Sequence, residues 1–326
     1  MVVVVVLLGI FAIQIVLVAT ATVGVVFTSP EFIGTMQEVA NSSVYDQQEI
    51  IDNTDFEQMA ANINYDFLMV AMLIAALLTL PMLMIIRGKR ALTTDLVAVN
   101  QKARPLSIFK TLLLMLGIGA AANLLAMAVA PLLDLADLSL TDYMEDSISG
   151  MLTSPVGLLY VALLGPIIEE IIFRGAILNR LSRHGINFAI VTQALMFGLF
   201  HGILFQSFYA FFMGLILGYV AVRYSLKWAM VLHIANNSIS VGFSLLDQAG
   251  IGPVVDYLMI AYLIVFFVGA VVLLIVKRKQ FSVIRQHGLP VTPEPYRIAF
   301  SSPFLIIFIA IYLGMGVYTL FLPLFL

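Results

Sequence analysis

The sequence contains no cysteine, and only 11% of its residues are charged. The absence of cysteine excludes a disulfide-stapled scaffold, a thiol nucleophile and a thiolate metal site. A formal net charge of -3 provides no basic surface for phosphates, which excludes a nucleic-acid-binding protein. Soluble domains carry about 25% charged residues. The scarcity of charge therefore also argues against an ordinary cytosolic domain and against a disordered chain.

Apolar and aromatic residues make up 62% of the 326 residues, and the mean hydropathy is +1.06. A bilayer-spanning helix needs about 20 mostly apolar residues. We therefore predict an all-α, polytopic integral membrane helical bundle with about nine transmembrane helices. The predicted spans are 2–27, 67–86, 111–133, 154–172, 187–205, 207–222, 228–246, 256–276 and 302–326.

The basic residues all fall on one side of this alternation of spans and loops. Every one of the 16 Lys and Arg residues lies in a segment that follows the second, fourth, sixth or eighth span. The opposite loops, 28–66, 134–153 and 247–255, contain acidic residues and no base. Because basic residues collect in cytoplasmic loops, we predict a cytoplasmic N-terminus. We expect the membrane to be the cell membrane of a prokaryote.

Three regions follow from this map. Residues 1–150 form an N-terminal three-helix region with acidic external loops, residues 151–250 a four-helix core, and residues 251–326 a C-terminal two-helix region with a cytoplasmic linker. Inside the core, small residues on one face of the sixth span predict a close-packed helix seam. These residues are Ala210, Gly214 and Gly218. The embedded polar residues Gln14, Asn123 and Gln193 are expected to form helix–helix hydrogen bonds.

Two adjacent glutamates, Glu169 and Glu170, lie inside the fourth apolar stretch. A charged side chain at the centre of a span costs about 3 kcal/mol, so the pair needs an explanation. Glu170 and Arg174 are four residues apart, with the acid on the favourable N-terminal side for an ion pair. Glu169 is turned about 100° away and has no partner in its own helix. We predict that Glu170 is held structurally while Glu169 is free, with an ion-pair latch formed by both glutamates as the alternative.

Histidines occur in two further spans. Phe197 and His201 share one face of the fifth span, and His233 and Asn237 are stacked four residues apart on the seventh. A single histidine in a span is more often a hydrogen-bonding partner between helices than a catalyst. Two histidines on different helices, both following the glutamate pair, favour a functional site.

Together these residues form three motifs in order along the chain: Glu169-Glu170-x-x-x-Arg174, Phe197-x-x-x-His201 and His233-x-x-x-Asn237. In this order the chain resembles the CAAX-protease and bacteriocin-processing (CPBP, or Abi) family, whose eukaryotic members are the type II CAAX prenyl proteases. The motifs lie within residues 169–237, so the resemblance covers roughly the fourth to seventh spans, about a third of the chain. The resemblance implies an intramembrane endopeptidase that depends on glutamate and requires no metal or other cofactor.

Water is the nucleophile that the sequence allows, because cysteine is absent and there is no His-Glu-x-x-His zinc helix. Glu169 is the candidate base, with His201 as its partner in holding and polarising the water. His233 and Asn237 can present two donors to the developing oxyanion from one helix face. The resemblance implies the same division of roles. It also implies that Glu170 orients the helix of the base, although which adjacent glutamate is the base stays open.

By the same resemblance, Arg174 acts with Glu170 in orienting the glutamate helix, and Phe197 is a further orienting residue. The predicted partners are the lipid bilayer and a peptide or protein substrate near the cytoplasmic face. The sequence does not decide between a lipid-modified and a membrane-anchored substrate, and no nucleic acid is expected as a partner.

Other functions fit part of the same pattern. The side chains of Glu169, Glu170, His201 and His233 are a plausible ligand set for zinc, which would make the protein a metalloprotease. Intramembrane Glu, His and Arg clusters also occur in proton-coupled transporters, and a non-catalytic membrane scaffold is a further alternative. The lack of an internal repeat argues mildly against a transporter.

The predicted depths of the motifs differ. Glu169 is five residues from Arg174, the first base of the following loop, and so about 8–9 Å from the cytoplasmic boundary. His201 is 17 residues beyond His184 and lies deeper on a straight helix. For the motifs to meet, the fifth span must be tilted, or part of 181–192 must lie along the membrane interface, which we favour.

Overall fold

A computed structural model of the chain describes residues 29–52, 69–78, 99–136, 151–250, 253–287 and 293–321, with a few single positions besides. Every regular element in these ranges is a helix. In chain order they are α1 (Pro30–Asn41), α2 (Val44–Asp52), α3 (Met69–Leu78), α4 (Pro105–Asp134), α5 (Pro155–His184), α6 (Ile186–Phe200), α7 (Leu204–Arg223), α8 (Leu226–Gln248), α9 (Pro253–His287), α10 (Glu294–Phe300) and α11 (Pro303–Phe321).

Six of the described helices, α4, α5, α7, α8, α9 and α11, are long and apolar enough to cross a membrane. Helices α3 and α6 are apolar but shorter, and all eight overlap predicted spans. The protein is therefore an integral, multi-pass helical membrane protein, as predicted. The first predicted span, 2–27, lies outside the described residues apart from two single positions. The count of nine spans and the cytoplasmic N-terminus stay predictions.

Helix α5 is much longer than the predicted span 154–172, because it continues to His184. It contains two π-helical segments, Tyr160–Leu164 and Ile171–Leu178. Arg174 lies in the second of these and is only 1% exposed. The assignment of Arg174 to a cytoplasmic loop was therefore wrong. An arginine four residues after a glutamate can pair within its own helix, so its charge does not have to reach water.

Helix α6 is shorter than the predicted span 187–205, because it ends at Phe200. Its 15 residues extend over about 22 Å, against about 30 Å for the hydrocarbon core. Both ends are marked by glycines with positive φ, Gly185 at 119° and Gly202 at 70°, a conformation that disfavours side chains with a Cβ. The chain consequently turns back into α7 only three residues after α6 ends.

The predicted small-residue seam lies between α7 and α6. A Cβ atom on Gly214 would come within 2.9 Å of both Cα and Cβ of Ala194, so the glycine permits the close approach. The Gln193 amide donates to the Gly214 carbonyl oxygen at 2.8 Å, which confirms its predicted interhelical bond. The prediction for Asn123 was wrong, because its amide donates to Gly119 one turn back in the same helix. Gln14 lies outside the described residues.

The buried core is formed mainly by α5, α6, α7 and α8, with α11 packed against one side. The tilted rings of Tyr312 and Phe308 in α11 contact each other with centroids 4.6 Å apart, and Tyr312 also contacts the ring of Phe200 at 5.8 Å. Helices α4 and α9 pack along each other, where Gly117 permits the close approach of Ala270. The four central helices therefore set the positions of the three sequence motifs.

We expect Gly214→Ala to lower the thermal stability of the protein in detergent. The new methyl group would overlap the Ala194 backbone, and overpacking of this kind costs about 1–3 kcal/mol. Gly242→Ala in α8 is the matched control, because no atom lies within 4 Å of a Cβ at that position. Thermal unfolding of both purified variants measures the difference. Equal melting temperatures would contradict the close-packed seam.

Candidate active site

The buried ion pair between Glu170 and Arg174 is the centre of the site. The Arg174 Nη1 group donates to Glu170 Oε1 at 2.7 Å, and both side chains are fully buried. Two buried charges are tolerated when their geometry is good and further hydrogen bonds satisfy them. Glu170 Oε1 also accepts a hydrogen bond from His233 Nδ1 at 2.9 Å, which ties α5 to α8. The predicted ion pair between Glu170 and Arg174 is therefore present, while the orienting role of Glu170 stays a prediction.

The neighbouring Glu169 has a different environment. Its side chain is 26% exposed, and its Oε2 lies 3.7 Å from His233 Nε2. This distance is longer than a hydrogen bond, so the Glu169 carboxylate is near His233 but is not tied to it. Of the two glutamates, Glu169 is the accessible one.

Phe197 links the charged groups to both histidines. The Arg174 guanidinium carbon lies 4.2 Å from the centroid of the Phe197 ring, a cation–π contact. This contact matters because Arg174 Nε and Nη2 have no hydrogen-bond acceptor among the described residues. The same ring makes edge contacts with His201, at 4.9 Å between centroids, and with His233, at 5.8 Å. Phe197, the first residue of the second motif, therefore packs against residues of both the first and the third motif.

His201 follows the last residue of α6 and caps its C-terminal end. Its backbone N–H donates to Gly198 O at 3.2 Å, and the Gly202 N–H donates to Leu199 O at 2.9 Å. The His201 Nδ1 atom lies 2.8 Å from Phe197 O. A carbonyl oxygen can only accept, so Nδ1 carries the proton. In the neutral imidazole, Nε2 is then an acceptor.

The tautomer of His233 follows in the same way. Its Nδ1 faces the carboxylate of Glu170, which accepts, so this nitrogen carries a proton. Nε2 faces Glu169 without a direct hydrogen bond. His233 can therefore donate from Nε2 only as the imidazolium ion, with protons on both nitrogens.

Asn237 lies one turn beyond His233 on α8, and its amide Nδ2 donates to Val161 O in the first π-helical segment of α5 at 3.1 Å. Two further polar residues near it were not predicted from the sequence. Asn236 donates to Asn237 Oδ1 at 3.4 Å, and the Tyr209 hydroxyl of α7 donates to Asn236 Oδ1 at 3.0 Å. The sequence could have indicated Asn236, because it is a second amide directly beside Asn237. It could not have indicated Tyr209, because the contact of this residue depends on how α7 is rotated against α8.

The structure brings the three motifs together. The residues linked by direct contacts are Glu169, Glu170, Arg174, Phe197, His201 and His233, with Asn237 one turn away on α8. Their catalytic roles stay predictions.

The predicted difference in depth between Glu169 and His201 is not observed, because α5 and α6 form a hairpin that turns at Gly185. Glu169 is 16 residues before Gly185 and His201 is 16 residues after it, so the two lie at similar heights. Residues 181–192 belong to α5 and α6 on either side of that glycine, and the interfacial position of part of this segment stays a prediction. The predicted difference in depth arose from placing Arg174 at the membrane boundary.

The suggested zinc ligands do not form a ready metal site. No group of three or more His, Asp or Glu side chains is arranged to hold a metal ion in the described part of the chain. Glu170 Oε1 already accepts hydrogen bonds from Arg174 and His233. A zinc ion would therefore need these side chains to rearrange.

We expect Glu170→Gln to destabilise the protein more than Glu169→Gln. Loss of the Glu170 charge leaves Arg174 buried without a counter-ion, and breaking a buried pair costs about 3–5 kcal/mol. Glu169 is partly exposed and has no direct hydrogen bond to His233. Thermal unfolding of the two purified variants provides the measurement. Indistinguishable melting temperatures would show that the pair does not stabilise the bundle.

Residues 151–239 match the family model described as type II CAAX prenyl endopeptidase Rce1-like. The matched segment contains α5, α6, α7 and more than half of α8, and thus all three motifs. Neither a curated protein nor a solved structure matches the chain. The match confirms the resemblance to the CAAX proteases that the three motifs indicated. Over residues 151–239 the chain is therefore similar to the Rce1-like CAAX prenyl endopeptidases.

Proposed function

We propose that the protein is an intramembrane endopeptidase that hydrolyses peptide bonds near the cytoplasmic membrane face, with water activated by Glu169 and His201. The Rce1-like domain implies a peptidase, and the apolar helices make it a membrane-embedded one. The glutamate-dependent mechanism and the residue roles are our proposal.

The contrast between the two adjacent glutamates carries this proposal. Glu170 is fully buried and accepts from Arg174 and His233, whereas Glu169 is partly exposed and has no direct hydrogen bond to the nearby His233. A general base must reach the proton that it abstracts, and it must not be neutralised by a fixed partner. Glu169 meets both requirements. Glu170 instead holds His233 and Arg174 in place.

His201 supplies a second contact for the water. Because its Nδ1 proton is directed to Phe197 O, the free Nε2 accepts a hydrogen bond from the water. Glu169 accepts the other water proton. Two acceptors on different helices, α5 and α6, direct an oxygen lone pair of the water toward the substrate carbonyl, which is a positioning effect.

The oxyanion is stabilised from α8. His233 donates from Nε2 as an imidazolium, and Asn237 donates with the amide hydrogen that is not engaged by Val161. Loss of one such donor typically costs about 3 kcal/mol of transition-state stabilisation. The positive charge of His233 also offsets the negative charge that develops on the substrate oxygen.

The proposed reaction has two steps. In the first, Glu169 takes a proton from water as the water oxygen bonds to the carbonyl carbon, and the carbonyl π electrons move to the oxygen. In the second, the oxyanion reforms the carbonyl, the carbon–nitrogen bond breaks, and the protonated Glu169 gives its proton to the leaving amine. The products are a carboxylic acid and an amine, and Glu169 returns to its starting state.

The substrate we propose is a peptide held at the membrane, either through a lipid modification or through its own membrane anchor. Partition into the bilayer concentrates such a peptide beside the site and replaces part of the binding energy that a soluble protease must supply. The exposed apolar side chains of the described spanning helices indicate contact with lipid.

We expect Glu169→Gln to lower the turnover of a quenched-fluorescence, lipid-modified peptide in liposomes by about 10²–10⁴-fold. The amide cannot take the water proton, while the similar size preserves the fold. Asp247→Asn on α8 is the matched control, since this exposed carboxylate lies outside the site. Wild-type turnover by a folded Glu169→Gln variant would remove Glu169 as the base.

We expect metal chelation to leave proteolysis unchanged, since the proposed activation of water uses a carboxylate and an imidazole. The purified protein is dialysed against a strong zinc chelator, assayed with the same peptide, and analysed for metal by mass spectrometry. Activity that is lost with the metal and restored by one equivalent of zinc would establish the metalloprotease alternative.

A further inference from the structure

The first π-helical segment of α5 leaves one backbone carbonyl without a helical donor. In this segment the Gly165 N–H donates to Tyr160 O. In the same π-helical pattern, the carbonyl oxygen of Val161 would accept from the N–H of residue 166. That residue is Pro166, which has no N–H. In an apolar setting an unsatisfied carbonyl is costly. The amide of Asn237 supplies the missing hydrogen bond at 3.1 Å.

This hydrogen bond fixes one side of the Asn237 amide, and a relay of two residues fixes the other. Asn236 Nδ2 donates to Asn237 Oδ1 at 3.4 Å, and Asn236 Oδ1 accepts from the Tyr209 hydroxyl at 3.0 Å. Asn236 is itself only 5% exposed. Each amide therefore has its oxygen facing a donor and its nitrogen facing an acceptor. Neither amide can flip without breaking a hydrogen bond.

The orientation of the Asn237 amide decides what it offers to the substrate. With Nδ2 near Val161, one N–H is engaged by the carbonyl and the second N–H is left for an oxyanion. A flipped amide would present its oxygen there and repel the negative charge. Correct placement of an oxyanion donor matters because its effect depends on the preorganised direction of its dipole.

We propose that Tyr209 and Asn236 are positioning residues that fix the Asn237 amide as an oxyanion donor. This inference rests on the proposed function, since it requires that Asn237 contacts the transition state. The Tyr209 hydroxyl, on α7, sets the orientation of Asn236, and Asn236 sets that of Asn237. Pro166 contributes from α5 by leaving the Val161 carbonyl free for the amide. Neither Tyr209 nor Asn236 touches the substrate.

The test measures kcat and KM for Tyr209→Phe, Asn237→Ala and the double variant with the liposome-bound peptide. We expect Asn237→Ala to lower kcat by about 10²–10³-fold, as for other oxyanion donors. Tyr209→Phe should lower kcat by about tenfold and leave KM within about twofold, because the lost orientation affects only the transition state. In the double variant, Tyr209→Phe should cause no further loss, because it acts through Asn237.

Tyr219→Phe is the matched control, because it makes the same change on α7 at an exposed position outside the relay. If Tyr209→Phe folds poorly, the variant that combines Tyr209→Phe with Asn236→Leu replaces it. Replacing both partners of the Tyr209–Asn236 hydrogen bond by apolar groups of similar shape is close to neutral for stability, and the only other side-chain bond among the described residues that this variant removes is the long one from Asn236 to Asn237, at 3.4 Å. This variant should show the same fall in kcat and the same absence of an effect in the Asn237→Ala background.

Unchanged kcat in the relay variants, or losses that multiply in the Asn237→Ala background, would overturn the positioning role. Either result would leave the proposed protease function intact. Absence of cleavage by the wild-type protein, or full activity of Glu169→Gln, would instead contradict the proposed function itself. The two failures are therefore distinguishable in the same assay.

Discussion

The carboxylate of Glu170 is the group on which the geometry of the core depends. It neutralises Arg174 within α5 and accepts from His233 on α8, so one oxygen atom joins two helices and two of the three motifs. The ring of Phe197 contacts the same guanidinium and so joins α6 to this cluster. The low-dielectric surroundings strengthen each of these contacts and make each of them costly to leave incomplete.

The same arrangement gives two chemically identical side chains, Glu169 and Glu170, different environments. The α-helical step of about 100° turns Glu169 away from Arg174 and leaves its carboxylate partly exposed. Two adjacent glutamates can therefore differ in accessibility and in hydrogen-bond partners although their side chains are chemically identical. The proposed division between a base and a holding group follows from this rotation and from the position of α8.

Local features of the site could be predicted from the sequence, and features that depend on helix packing could not. The Glu170–Arg174 pair and the small-residue seam of α7 follow from spacing within one helix, and both are observed. The length of α5 was missed because a base was taken as a boundary marker, although Arg174 is neutralised inside the bundle. The contacts of His233 with Glu170 and of Tyr209 with Asn236 depend on the relative rotation of separate helices, which no periodicity encodes.

The early end of α6 has a consequence for the protonation pattern of the site. A helix that ends among buried apolar residues would leave carbonyl oxygens without hydrogen-bond partners, which is costly. His201 meets this need with its main-chain N–H and with its ring Nδ1, while Gly202 serves a third carbonyl. The hydrogen bond to Phe197 O thereby selects the imidazole tautomer, because the other tautomer would set two lone pairs against each other. The end of a helix thus determines which ring nitrogen of His201 is available to water.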